Sequence, residues 1–190
     1  MTRYFDLIEN PDWHGAIAGL EVTAEFARHE DRLEVVFEVA EPMACYRRCC
    51  EKDGDPCWQD SCVEVFVASP RHRGYYNFEL NSAGVCLAEF GQGREGRRRF
   101  LPEEYARVAR SVEVAPHETD DGRMIWRLLV VIPLDLIGLE AGDAVCGNLY
   151  KCASGAECPH YLMAFPVRAA KPDFHRPECF GVLEISLGRD

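Results

Sequence analysis

From Leu33 to Val39 the chain reads LEVVFEV, in which Leu33, Val35, Phe37 and Val39 alternate with Glu34 and Glu38. That two-residue period predicts a strand with one face in the core and the other in water. CVEVFVAS and GYYNFELNS repeat the pattern on either side of PRHRG, a connection of hairpin length with a proline and a closing glycine, and GVCLAEFG extends the meander. In the middle strand Tyr76, Phe78 and Leu80 fall on one face, while Tyr75, Asn77, Glu79 and Asn81 fall on the other. SVEVAP and MIWRLLVVIP predict two further strands, the second with Trp126, Leu128, Val130 and Ile132 on a shared core face.

The connections are as informative as the strands. AEPMACYRRCCEKDGDPCWQDS carries Pro42, Gly54, Pro56 and a charge cluster, which predicts a long loop, and long loops in compact domains are often functional. GQGREGRRR predicts an irregular loop, PEEYARVAR a short helix with Pro102 at its start, and PLDLIGL a short helical piece behind Pro133. The last third alternates short β-prone runs with Pro and Gly. Regular short strands with turn signals and no long helix predict an all-β, two-sheet antiparallel sandwich with short helical turns in its loops.

At 190 residues the chain suits a single domain spanning 1–190, and 47% apolar with 28% charged residues is ordinary for a globular protein. The formal charge of −11 disfavours nucleic acid and anionic lipid as partners. No basic start leads into an apolar run, and no stretch approaches the roughly 18 apolar residues of a membrane helix, so the chain as written is expected in the cytosol, or outside it had a leader been removed. Ten cysteines lack paired CxxC spacing, and Cys62, Cys86 and Cys146 sit within apolar strand patterns. They are expected as small buried hydrophobes, with no structural zinc.

Six strings in order, DPCWQDSCVEVFV, GYYNFELNSAGVCLAEFGQGRE, MIWRLLVVIPLDLIGLEAGD, GNLYKC, PHYLMAFPV and PDFHRPECFG, resemble carbohydrate-binding module family nine, specifically its stand-alone bacterial members. The resemblance runs from about Asp31 to Leu187 and implies a jelly-roll or immunoglobulin-like sandwich, related to DOMON domains, that binds carbohydrate. It also implies that a sugar is gripped between aromatic rings, with calcium bound elsewhere in some members. Trp58 matches the family's aromatic position and Arg94 lies at a family-like place in GQGRE. Tyr150, Tyr161 and Phe174 are candidates for the second ring.

A pyranose offers apolar C–H faces and a rim of hydroxyls, so its site needs a flat ring beside fixed donors and acceptors. Trp58, in a Pro- and Asp-rich loop just before a strand, supplies the ring. Asn77, Glu79 and Asn81 recur about 7 Å apart along one strand beside Glu64 on its neighbour. Lys151, His160, Asp173 and His175 cluster among turn residues, and Arg94 adds a fork of donors. The expected ligand is an oligosaccharide or glycoside, held without catalysis and without a cofactor. Two alternatives stay open. Glu64 and Glu79 could be the paired carboxylates of a glycosidase, which stand roughly 5 to 10 Å apart. A DOMON-like domain could instead bind haem through Met43, Met124, Met163 or a histidine, or calcium through Asp53, Asp55 and Asp60.

Overall fold

The computed structural model describes residues 2–10, 12–115, 119–140 and 142–184. In chain order the strands are β1 (Thr2–Asp6), β2 (Ile8–Glu9), β3 (Glu21–Arg28), β4 (Arg32–Pro42), β5 (Cys62–Ala68), β6 (Tyr75–Asn81), β7 (Cys86–Gly91), β8 (Arg98–Arg99), β9 (Ala109–Val114), β10 (Arg123–Pro133), β11 (Val145–Cys152), β12 (Tyr161–Met163) and β13 (Gly181–Glu184). One sheet has the order β1-β3-β4-β10-β9. The other runs β2-β12-β11-β5-β6-β7-β8, with β13 paired to the start of β11. All of these pairs are antiparallel. The fold is therefore the expected two-sheet sandwich, with helical structure among the described residues limited to single turns such as Cys57–Gln59 and Asp135–Ile137 and the short helix α1 (Pro102–Tyr105).

Alternation decides which side chains meet between the layers. Leu33, Val35, Phe37 and Val39 of β4 and Trp126, Leu128, Val130 and Ile132 of β10 face Val63, Val65 and Val67 of β5 and Tyr76, Phe78 and Leu80 of β6 in one core. At roughly 1.5–3 kcal/mol per large apolar side chain removed from water, this core is the main source of stability. Two local expectations change. The helix at PEEYARVAR stops at Tyr105 and the chain is extended again from Ala109, because Ala109–Val114 pairs along β10. Thr2–Asp6 and Glu21–Arg28, outside the strands expected from the sequence, also join the five-stranded sheet, and Val22, Ala24 and Phe26 enter the core.

Lys151 and His160 are not at a ligand surface. Lys151 shares the inward face of β11 with Leu149 and is fully buried beside Glu41 of β4 and His160. Its Nζ lies 3.0 Å from Glu41 Oε2 and 2.7 Å from His160 Nε2. The Trp126 indole N–H donates to Glu41 Oε1 at 2.7 Å, and His160 Nδ1 lies 2.9 Å from the Cys158 carbonyl. The pair is thus satisfied on both sides, as buried charges must be. Burial, helped by the Lys151 charge, pushes the His160 imidazole down to about 3.

Removing one partner leaves the other charge buried and alone, so Lys151→Ala is expected to lose about 3–5 kcal/mol in denaturant unfolding. A Glu41→Gln/Lys151→Met double variant, which keeps an acceptor for Trp126, should lose less. His160 adds a pH signature. Its folded value lies below its unfolded value, so the stability it contributes is complete above about pH 6.5 and is lost as pH falls toward 3. At pH 5.5 the loss is about 1.4 kcal/mol. His160→Gln should therefore show a stability deficit that narrows by about that amount between pH 7.5 and 5.5.

Candidate functional site

The outer face of the larger sheet carries Cys62 and Glu64 of β5, Tyr75, Asn77, Glu79 and Asn81 of β6, Leu87 and Glu89 of β7, and Tyr150 and Cys152 of β11. Loops fold over this face from both ends and divide the row. Over one half, the C-terminal segment packs on a second apolar cluster that includes Phe66, Tyr75, Tyr150 and Phe174. Tyr150 and Phe174 stack with ring centroids 4.0 Å apart, and the Tyr75 hydroxyl lies 2.8 Å from His175 Nδ1. Over the other half a cleft of about 330 Å³ stays open, within the range of small-ligand sites.

Glu64, Glu79, Leu87, Glu89 and Cys152 form its floor, while Trp58, Arg94, Arg99, Tyr161, Asp173, Phe174 and His175 are among its walls. Glu64 and Glu79 are register partners on adjacent strands, so their side chains rise next to each other. Both are almost fully buried. Burial holds the Glu64 carboxyl well above the usual range, and the neighbouring Cys152, whose Sγ lies 3.0 Å from Oε1, acts in the same direction. Burial and then the neighbouring Glu64 charge raise Glu79 in the same direction, against a bond from the Asn77 amide to its Oε1 at 2.8 Å. Glu79 Oε2 has no hydrogen-bond partner among the described residues. The floor is thus a pair of desolvated carboxyl groups whose surroundings favour the protonated form, which can donate as well as accept.

Trp58 is pinned by its backbone and free at its ring. Its carbonyl accepts from the Ser154 amide at 3.1 Å, the Ser154 hydroxyl at 3.0 Å and the Cys152 thiol at 3.3 Å, while the residue is 42% exposed. Gly155 lets this approach happen, since a Cβ there would stand 2.8 Å from the Gln59 carbonyl oxygen. Tyr161 and Phe174 also line the cleft, and Trp13 packs against both, at ring-centroid distances of 6.0 and 5.9 Å. Tyr150 lies beneath Phe174, fully buried.

The remaining predicted residues divide. Arg94 and His175 are cleft walls. Arg94 stands 3.6 Å from Asp173 in an exposed pair that adds little stability, and burial pushes the His175 imidazole down to about 4, which keeps the ring neutral. Asn77 does not face the cleft as expected. Its Oδ1 accepts from Arg97 at 2.8 and 3.1 Å, and that guanidinium lies 4.3 Å from the Tyr75 ring centroid. Arg97 is a buried brace that also donates to the carbonyls of Gly93 and Tyr75. Asn81 is likewise structural: its amide donates to Asp60 Oδ2 and the Cys50 carbonyl, and its Oδ1 accepts from the amides of Ala83 and Val85.

The aspartates weighed for calcium each hold backbone. Asp53 accepts from the Cys86 amide, Asp55 from those of Glu51 and Lys52, and Asp60 from those of Cys49 and Cys50. A different set of donors converges. Those of Cys62, Glu64 and Cys152 lie within 4.8 Å of one another. Cys152, Glu89 and Ser154 were not among the residues singled out from sequence, although Cys152 lies on the same face of its strand as Tyr150 and opposite to Lys151.

A family model described as carbohydrate-binding family 9 matches residues 4–185, so the similarity begins well before Asp31. A provisionally assigned carbohydrate-binding protein from Bacteroides uniformis is 30% identical with a TM-score of 0.80, over 95% of this chain and 84% of that one. A family 9 carbohydrate-binding module from Caldicellulosiruptor kristjanssonii, solved in complex with cellotriose, is 12% identical with a TM-score of 0.61, over 100% of this chain and 84% of that one, a likeness that carries the fold. No curated protein matches the chain.

Arg97 offers a direct check on how the cleft wall is held. Arg97→Met leaves the buried Asn77 Oδ1 without its donors, so unfolding in urea should report a loss of about 1–3 kcal/mol. A change within about 0.5 kcal/mol would place Arg97 on the surface.

Proposed function

Because the chain belongs to carbohydrate-binding family 9, we propose that the cleft above Glu64 and Glu79 holds an oligosaccharide or glycoside and does not cleave it. The reading rests on Trp58, whose loop is bonded down while its ring stays 42% exposed at the edge of a cleft with a polar floor. A ring fixed in this way loses little freedom on binding and offers a flat apolar face to sugar C–H groups. Tyr161 and Phe174 provide the second apolar wall. The paired acids of the floor donate to and accept from hydroxyls, the Arg94 fork meets hydroxyls at the rim, and neutral His175 completes the wall.

Binding is favoured over hydrolysis by the arrangement of the carboxyls. A glycosidase sets an acid and an ionised carboxylate on either side of the scissile bond. Glu64 and Glu79 instead stand next to each other on one floor, where burial disfavours the ionised form of both. The cellotriose bound by the relative from Caldicellulosiruptor kristjanssonii makes soluble β-glucan oligosaccharides the first ligands to try.

Isothermal calorimetry against a panel of soluble oligosaccharides including cellotriose should give a Kd in the micromolar to millimolar range, about −8 to −4 kcal/mol. Trp58→Ala should weaken binding about tenfold or more, about 1.4 kcal/mol, with a melting temperature close to wild type. No heat with any sugar, or a melting temperature that collapses in Trp58→Ala, would contradict this reading. Release of reducing sugar by pure protein, lost in Glu64→Gln, would identify a hydrolase.

A further inference from the structure

The deepest part of the cleft has a chemistry that sugar recognition does not require. Cys62 and Cys152 are direct register partners on β5 and β11, so their side chains leave the sheet together on its outer face. Glu64 lies two residues beyond Cys62 along β5 and therefore points the same way. The three donors, two sulfurs and one carboxylate oxygen, lie within 4.8 Å of one another, and Cys152 Sγ is already 3.0 Å from Glu64 Oε1. Tetrahedral zinc with Zn–S near 2.3 Å and Zn–O near 2.0–2.2 Å sets its ligands roughly 3.5–3.8 Å apart, so shifts of about 1 Å convert one arrangement to the other.

From this geometry we infer that Cys62, Cys152 and Glu64 form a three-ligand site for a soft divalent cation of the zinc type, with its fourth position open to the cleft. Two sulfurs with one carboxylate select zinc or cadmium over calcium or magnesium, whose shells are built from oxygen. On binding, both S–H bonds and the O–H bond of a protonated Glu64 break, two sulfur–metal bonds and one oxygen–metal bond form, and the released protons leave to solvent. A second observation points to the same place. Glu79, the register partner of Glu64, presents a buried Oε2 with no hydrogen-bond partner among the described residues, and water on the open metal position would supply a donor to it. The Trp58 carbonyl, 3.3 Å from Cys152 Sγ, already orients one of the thiols. Three protein ligands with one open position are the pattern of zinc sites that engage an exogenous ligand, whereas purely structural sites are closed by four. The site stands independently of the sugar reading, and it is measured without sugar present.

The full chain, reduced with a phosphine and freed of metal by chelation and desalting, would be titrated with Zn²⁺ by calorimetry and with Co²⁺ by absorption. One equivalent of Zn²⁺ should bind, and the Co²⁺ form should show thiolate charge-transfer and tetrahedral ligand-field bands. Cys152→Ser and Glu64→Gln, each checked for native circular dichroism, should weaken Zn²⁺ binding more than ~100-fold, beyond the 10–100-fold cost of disturbing an outer-shell partner. A Cys49→Ser/Cys50→Ser variant, altered at the exposed and half-buried thiols of the long loop, should bind as wild type does. The site is wrong if wild type takes up no Zn²⁺, if the Co²⁺ spectrum is that of octahedral oxygen ligation, or if binding survives in Cys152→Ser and Glu64→Gln but disappears in the Cys49/Cys50 variant.

Discussion

Two carboxyl groups cut off from bulk water on the outer face of a β-sheet are the constraint around which the rest of this molecule is arranged. A strand must place alternate residues on opposite sides, so burying Val63, Val65, Phe78 and Leu80 between the sheets necessarily turns Glu64 and Glu79 outward. In water that position would cost nothing. Here the loops rise around the pair and exclude solvent, which raises both carboxyls above their ordinary range. The result is a small concave surface whose floor carries hydrogen-bonding groups with little of their own area open to solvent.

That concavity persists because each wall is tied to the sheet by buried polar contacts. Arg97 locks the Gly-rich loop onto Asn77 and Tyr75, Asn81 and Asp60 join the long loop to the end of β6, and Ser154 with Cys152 holds the Trp58 carbonyl. Between the layers, Glu41, Lys151, His160 and Trp126 form a satisfied network beneath the opposite side of β11. Bonded loops that expose one rigid ring reduce the ordering that a ligand would otherwise impose. The same rigidity fixes two thiols and a carboxylate at a separation that a metal ion can close.

Alternation made the sandwich legible. The strands around Leu33–Val39, Tyr75–Asn81 and Trp126–Ile132 follow directly from period-two patterns, and Trp126 is in the core where its neighbours' parity places it. Polarity alone misled. Lys151 belongs to the same face as Leu149, so a core Leu149 implies a buried lysine and an outward Cys152, yet a charged residue near a turn invites assignment to a surface. Asn77 and Asn81 read as part of a ligand-facing row because nothing in their own strand announces that Arg97 and the Asp60 loop will cover them. The set of Cys62, Glu64 and Cys152 is invisible to motif spacing for a similar reason: its two sulfurs are neighbours across strands and distant in sequence. Trp58, Glu64, Glu79, Arg94 and His175 do come together around one cleft, a convergence that depends on loop paths no local pattern specifies.

The most direct measurement is a crystal structure of the protein grown with cellotriose or with the tightest oligosaccharide at hand. The account predicts a sugar ring against the face of Trp58 with its hydroxyls within about 3 Å of the Glu64 or Glu79 carboxyl oxygens. Sugar density elsewhere on the sandwich, with this cleft empty and Trp58 turned inward, would contradict it.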